Sequence, residues 1–163
     1  MEFNPIGAHA SGLIGELSLG IPSNLIPRLV SGLVHNTPMT VHGGDYGTPD
    51  GTCIRDYIHV VDLARAHIRA MLYVEKQRSS NYYDVFNIGT GRGYSVLEII
   101  KTLERVAGSK INYKIGPRRP ADIAQIYANV SKARKILEWQ AKLTLSDALS
   151  SVLIWQKNQE RSF

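Results

Sequence analysis

Cysteine is almost absent from this chain. Cys53 is the only one in 163 residues, so neither an internal disulfide nor a cysteine-rich zinc site is available. Long apolar runs are missing as well. Ser31, His35 and Asn36 interrupt even the greasiest stretch, well short of the ~20 residues that span a membrane. The opening Met1-Glu2-Phe3-Asn4-Pro5 has neither the basic cap nor the apolar block of a secretion signal, so a cytoplasmic protein is expected. The five histidines include no pair at metal-ligand spacing; His59 and His67 are expected to be structural, and no metal is expected. The formal charge of +5 is not massed in a basic tract but interleaved with acids, which argues against nucleic acid as a partner. A small anion needs only two or three well-placed arginines.

What is present reads as mixed α/β in one domain, without an internal repeat or a long linker. The first twenty residues, broken by Gly7, Gly12, Gly15 and Gly20, read as loop. Leu25, Ile26, Leu29, Val30, Leu33 and Val34 then recur at helical spacing behind Asn24, a candidate N-cap. Residues 39–42 read as a short strand, 43–52 as a loop carrying Asp45 and Asp50, and 54–60 as a strand. Asp62 is the expected cap of a helix whose Leu63, Ala66, Ile68, Met71 and Leu72 share a buried stripe. Residues 83–88 read as a strand. Ser95 and Glu98 have capping-box spacing before a helix facing inward through Leu97, Ile100, Leu103 and Val106, with Gly108 as its stop. Strands at 111–115 and 126–128 and a helix from Ser131 to about Trp139 follow. Thr144 and Asp147 repeat the capping spacing before a last helix.

Three groups could carry chemistry. The run Gly89-Thr90-Gly91-Arg92-Gly93 lies between strand and helix like a phosphate loop, but matches neither the dinucleotide nor the Walker spacing. A tight turn is the simpler account. Cys53 beside Arg55 has the setting of an activated thiol, or of a small buried side chain. Arg55 stands inside an apolar strand, where a charge must meet an anion, and Arg118 and Arg119 occupy a proline-bounded loop near Asp122. Planar guanidinium forks suit phosphate oxygens. Internal Arg55–Asp56 or Arg119–Asp122 ion pairs would account for these residues equally well.

Six segments recur in this order in one group of enzymes. They are Phe-Asn-Pro-Ile-Gly-Ala-His (3–9), Pro-Ser-Asn-Leu (22–25), Asp-Tyr-Gly-Thr-Pro-Asp-Gly-Thr (45–52), Ile-Arg-Asp-Tyr-Ile-His-Val-Val-Asp-Leu (54–63), Phe-Asn-Ile-Gly-Thr-Gly (86–91) and Arg-Arg-Pro-Ala-Asp (118–122). From residue 3 to the end, the chain resembles the C-terminal portion of UDP-glucose 4-epimerases of the extended short-chain dehydrogenase/reductase superfamily. The resemblance implies an α/β substrate-binding domain over 1–163, with the last elements of the Rossmann-type domain. Residues 62–93 would pack on the NAD-binding domain. It further implies that UDP-glucose and UDP-galactose are the ligands. Asn4 would bond the diphosphate region, Ser23, Asn24 and Leu25 would contact the nucleotide-sugar, and Thr40, Val41 and His42 would lie near the uracil. Arg55 and Arg119 would hold the diphosphate, and Asp122 the ribose. Ile126 would limit the sugar pocket at a size that leaves N-acetylated sugars open. Phe3 would sit at the domain junction, touching substrate and, with Pro5, the cofactor NAD. A homodimer is a property the family implies for the full-length form.

The family's Gly-x-x-Gly-x-x-Gly loop and catalytic Tyr-x-x-x-Lys do not occur in these 163 residues, and Tyr73-Val74-Glu75-Lys76 is one residue short of the latter. No catalytic residue is therefore expected here, NAD should not be retained by this chain alone, and the chain alone should not epimerise. Glu2 and Met1 replace residues usual at the junction strand, as an artificial start or truncated gene would. Ser23, His42 and Ala121 stand where the family usually has asparagine, phenylalanine and glycine.

Overall fold

The computed structural model describes residues 1–18, 20, 22–77 and 81–160. Strand β3 (Ile54–His59) organises it. The first half of β3 pairs antiparallel with β4 (Gly93–Ser95) and parallel with β6 (Gln125–Ile126), and its second half pairs parallel with β1 (Asn4–Ile6). A second, two-stranded parallel sheet joins β2 (Met39–His42) to β5 (Tyr113–Gly116). The helices are α1 (Leu25–His35), α2 (Val60–Glu75), α3 (Val96–Ala107), α4 (Ser131–Ile136) and α5 (Leu145–Glu160).

Side chains alternate across a strand, and β3 uses that alternation to serve two cores. Tyr57 joins Ile26, Leu29, Val41, Ile100, Leu103 and Leu149, where α1, α3 and α5 meet. Ile58, its neighbour, is buried on the other side with Leu63, Ala66, Ala133, Leu137 and Trp139. Full burial of each large apolar side chain contributes about 1.5–3 kcal/mol, so β3 is anchored from both faces and its registration is strongly fixed.

The predicted helix starts hold where the signal is local. Ser95 caps α3 by accepting from Glu98 N–H at 3.0 Å while Ser95 N–H donates to Glu98 Oε2 at 2.8 Å, and Gly108 ends the helix at φ 70°. Thr144 and Asp147 exchange the same pair of bonds at the start of α5.

Several expectations need correcting. The first twenty residues are not all loop, because residues 4–6 are held as β1 by β3, a long-range partner that local pattern does not reveal. Asp62 does not cap α2. His59 does, its Nδ1 accepting from Val61 N–H, while Asp62 is buried in the first turn and accepts from Lys142 and Leu143 N–H, both at 2.7 Å. The α2 stripe splits. Leu63 and Ala66 are buried, with Ala70 and Tyr73 packed behind them, but Ile68, Met71 and Leu72 are 57%, 63% and 45% exposed on another face. The inner face of α3 keeps the expected Ile100 and Leu103, with Leu97 packed against that core, and adds Ile99. Residues 83–88 form no strand, since only Ile88 finds a bridge, to Glu2. The strands at 111–115 and 126–128 are displaced to Tyr113–Gly116 and Gln125–Ile126, and α4 stops at Ile136. No helix among the described residues is long and apolar enough to cross a membrane.

Candidate functional site

A cleft of about 460 Å³ opens between the two sheets, walled by the end of β1, the first turn of α1, β2, one face of β3 and the loop before β6. Alternation explains the β3 contribution. Cys53, Arg55 and Tyr57 all line the cleft, while Asp56 and Ile58 turn away.

Most of the expected site residues converge here. Asn4 and Pro5 come from β1, Ser23, Asn24 and Leu25 from the entry to α1, and Thr40, Val41 and His42 from β2. Arg55 and Arg119 arrive from separate elements and meet on one carboxylate. Arg55 Nη2 stands 3.5 Å from Asp122 Oδ1, and Arg119 Nε donates to Asp122 Oδ2 at 2.9 Å. Of the two internal pairings open from sequence, Arg119–Asp122 forms and Arg55–Asp56 does not. Arg55 Nη1 also donates to its neighbour's carbonyl, Ile54 O, at 2.8 Å. Asn4 spends one amide proton on Asp56 O at 2.9 Å, which ties β1 to β3 beneath the cleft.

Two expected residues stand elsewhere. Phe3 is half-buried outside the cleft, its N–H donating to Ile88 O at 3.1 Å. Ile126 is the β6 partner of Arg55 but does not line the cleft. Conversely, Glu16, Arg28 and Tyr57 line it without having been anticipated. The two-residue spacing from Arg55 was a usable signal for Tyr57, whose burial pushes its hydroxyl pKa up to about 12 although the Arg55 charge opposes this. Arg28 and Glu16 had no such local signal.

Next to the cleft, the loop bearing Arg118 and Arg119 is latched to the 43–52 loop. Arg118 Nε donates to Asp45 Oδ1 at 2.7 Å, and its guanidinium lies 4.2 Å from the Tyr46 ring centroid. That bond holds the Asp45 carboxyl below its usual range. Cys53 is buried in the cleft wall.

The glycine run at 89–93 is occupied by the protein's own anion. The fully buried Asp56 carboxylate accepts from Thr90 N–H at 2.9 Å, Thr90 Oγ1 at 2.5 Å, Gly91 N–H at 3.0 Å and Ala128 N–H at 3.2 Å. A Cβ on Gly89 would lie 2.5 Å from Asp56 Oδ2, so glycine is what permits the approach. The N–H groups a phosphate would need are taken. This glycine turn is thus not a phosphate loop, and among the described residues no group of three His, Cys, Asp or Glu side chains could hold a metal ion.

Comparison with known proteins places this geometry. The family model described as GDP-mannose 4,6 dehydratase matches residues 8–152. The chain is 51% identical over 162 residues to a UDP-glucose 4-epimerase of Bifidobacterium longum, covering 99% of this chain and 46% of that protein. To the Bacillus subtilis UDP-glucose 4-epimerase it is 45% identical, with 99% and 47% covered. The chain therefore spans about half the length of the curated relatives it matches. A crystal structure of the Stenotrophomonas maltophila enzyme with NAD and formylated UDP-arabinopyranose superposes with a TM-score of 0.94 at 44% identity, covering 99% of this chain and 48% of that one. The Bifidobacterium longum structure with NAD+ and UDP gives 0.91 at 50% identity, with 99% and 48% covered.

Proposed function

Because the chain belongs to the GDP-mannose 4,6 dehydratase family, we propose that it is the UDP-sugar-binding, C-terminal part of a UDP-glucose 4-epimerase. The observation that carries the reading is the meeting of Arg55 and Arg119 on Asp122 at the cleft wall. Two guanidinium groups against one carboxylate leave one cation unbalanced, and planar forks fit the oxygens of a diphosphate. Asp122 is then the acceptor for ribose hydroxyls, Asn4, Ser23, Asn24 and Leu25 contact the nucleotide-sugar, and Thr40 to His42 border the base.

Inverting C4 requires that one sugar face and then the other be presented to the same cofactor, so the sugar must be free to turn. Binding energy placed on the remote UDP end supplies affinity without fixing the sugar. An arginine clamp distant from the sugar suits that demand, with Ile126 toward the sugar end. The whole protein would interconvert UDP-glucose and UDP-galactose in the cytoplasm, with NAD and as a homodimer. Phe3 and Pro5 would touch NAD held by the NAD-binding domain; the chain alone is expected neither to retain NAD nor to be active. The open α2 face and residues 62–93 are assigned to docking against the NAD-binding domain.

Calorimetry with millimolar UDP tests the reading. The chain should release or absorb heat on binding, and Arg55→Ala or Arg119→Ala should abolish the signal. Absence of heat from the unmutated chain would overturn it, and preference for a thymidine or GDP sugar would shift the assignment to a related dehydratase or decarboxylase.

A further inference from the structure

The geometry points to Glu16 as a positioning residue that orients Asn24 in the cleft, an inference that rests on the cleft taking a UDP-sugar. Asn24 occupies the N-cap position of α1, but its side chain makes no capping bond. Its Nδ2 instead donates to Glu16 Oε1 at 2.9 Å. An ionised carboxylate only accepts, so the amide nitrogen, and not the oxygen, must be the end turned toward Glu16. One orientation of the amide is thereby selected. A charge-assisted bond of this kind is about twice as strong as a neutral one, and it polarises the amide so that the oxygen at its other end, Oδ1, becomes a better acceptor.

Glu16 is itself braced by α5. The Trp155 indole Nε1–H donates to Glu16 O at 3.0 Å, and Asn158 Nδ2 donates to Gly12 O at 3.0 Å. Gly15 lies flat against the Trp155 ring, where a Cβ would stand 2.6 Å from Cγ. The carboxylate therefore sits on a segment tied at two points to a helix whose Leu149 is fully buried. The Asn24 backbone is fixed separately, its main-chain carbonyl accepting from Arg28 N–H at 3.2 Å.

Electrostatics sets the direction of the argument. Among the described residues Glu16 forms no ion pair, yet it lines a cleft where Arg55 and Arg119 are assigned to an anion. A carboxylate facing a diphosphate directly would repel it. Spent on the Asn24 N–H, the same charge instead strengthens Oδ1 as a neutral acceptor for a ligand hydroxyl or N–H. The segment from Trp155 through Glu16 to Asn24 thus links the core helix to a ligand contact.

The test is a double-mutant cycle read as the UDP dissociation constant. Glu16→Ala should weaken UDP roughly fivefold to tenfold, the scale of one ordered hydrogen bond. Glu16→Gln, which keeps an acceptor for the same N–H, should restore affinity to within about twofold. In an Asn24→Ala background, Glu16→Ala should have no further effect. Unchanged affinity in Glu16→Ala, failure of Glu16→Gln to rescue, or losses that multiply independently would each overturn the proposal. A ligand-free readout separates this from the UDP reading itself. The two Asn24 side-chain amide protons should be widely split in a 1H–15N spectrum of the parent chain and converge in Glu16→Ala. Identical spectra would sink the positioning role whether or not UDP binds.

Discussion

Arg55 on β3 and Asp122 in the loop before β6 stand 3.5 Å apart, and Arg119 shares the same carboxylate at 2.9 Å. Asp122 both steadies the two cations and offsets part of their charge. Those roles separate in Asp122→Asn. Arg119 is largely solvated, so screening reduces the gained attraction for an anion to about 1 kcal/mol. Inorganic pyrophosphate should therefore bind roughly threefold to tenfold tighter in calorimetry. UDP should gain less, because the ribose acceptor is weakened. A weaker pyrophosphate response would mean that Asp122 matters chiefly for holding the arginines in place.

The same loop contains a strained residue. Ala121 has φ 64°, the left-handed region that costs a non-glycine residue about 1–2 kcal/mol. Glycine relieves this but raises the entropy of the unfolded chain, returning about 0.5–1 kcal/mol of the gain. Ala121→Gly should stabilise the chain by about 0.5–1 kcal/mol, a rise of a few degrees in melting temperature. A lower melting point would show that the loop relaxes by another route.

Much of this site was legible because its signals were local. Ser95 with Glu98 and Thr144 with Asp147 announce helix starts at fixed spacing, and Arg55 in an apolar strand announces a need for an anion. Asp56 was misleading for the same reason. Adjacent in sequence to Arg55, it suggested an ion pair, but successive strand residues face opposite sides and Asp56 serves the turn at Thr90 and Gly91. Strands β1 and β4, three residues each, exist because β3 pairs with them across long separations. Glu16 depends on Trp155, far along the chain, and no periodicity connects the two. The family resemblance supplied what local pattern could not, bringing Asn4, Asn24 and β2 into one expectation. It did not extend to Glu16 or Arg28.

His59 gives the fold a pH dependence. Its Nδ1 accepts from Val61 N–H at 3.1 Å, and its Nε2 is 3.5 Å from Ser151 Oγ. Burial lowers its pKa, against the opposing charges of Asp62 and Asp147; Arg65 adds to the lowering. Protonation would set a ring N–H against the Val61 N–H. With the folded pKa below the unfolded value of about 6.5, the unfolded chain takes up the proton first. The contribution is complete above that value and is lost as pH falls below it. Urea midpoints should fall as pH drops below about 6.5, and His59→Asn should flatten that fall. Asp147, held low by bonds from Thr144, acts only in the more acidic carboxylate range. An unchanged slope in His59→Asn would assign the loss to other groups.

The outer face of α2 carries the remaining prediction. Ile68, Met71 and Leu72 are exposed on a helix whose other face already packs Leu63, Ala66 and Tyr73. Two apolar faces on one helix are uncommon unless both are covered, and contiguous exposed apolar surface drives association. This is the face assigned above to the NAD-binding domain. Without that cover the chain should sediment with concentration-dependent self-association. Ile68→Glu with Met71→Glu should return it to a monomer at nearly unchanged melting temperature, because neither side chain belongs to a core. Supplying the NAD-binding half separately should suppress association of the parent chain and not bind the double variant. A parent chain that is already monomeric at high concentration would remove the reason to regard this face as a contact surface.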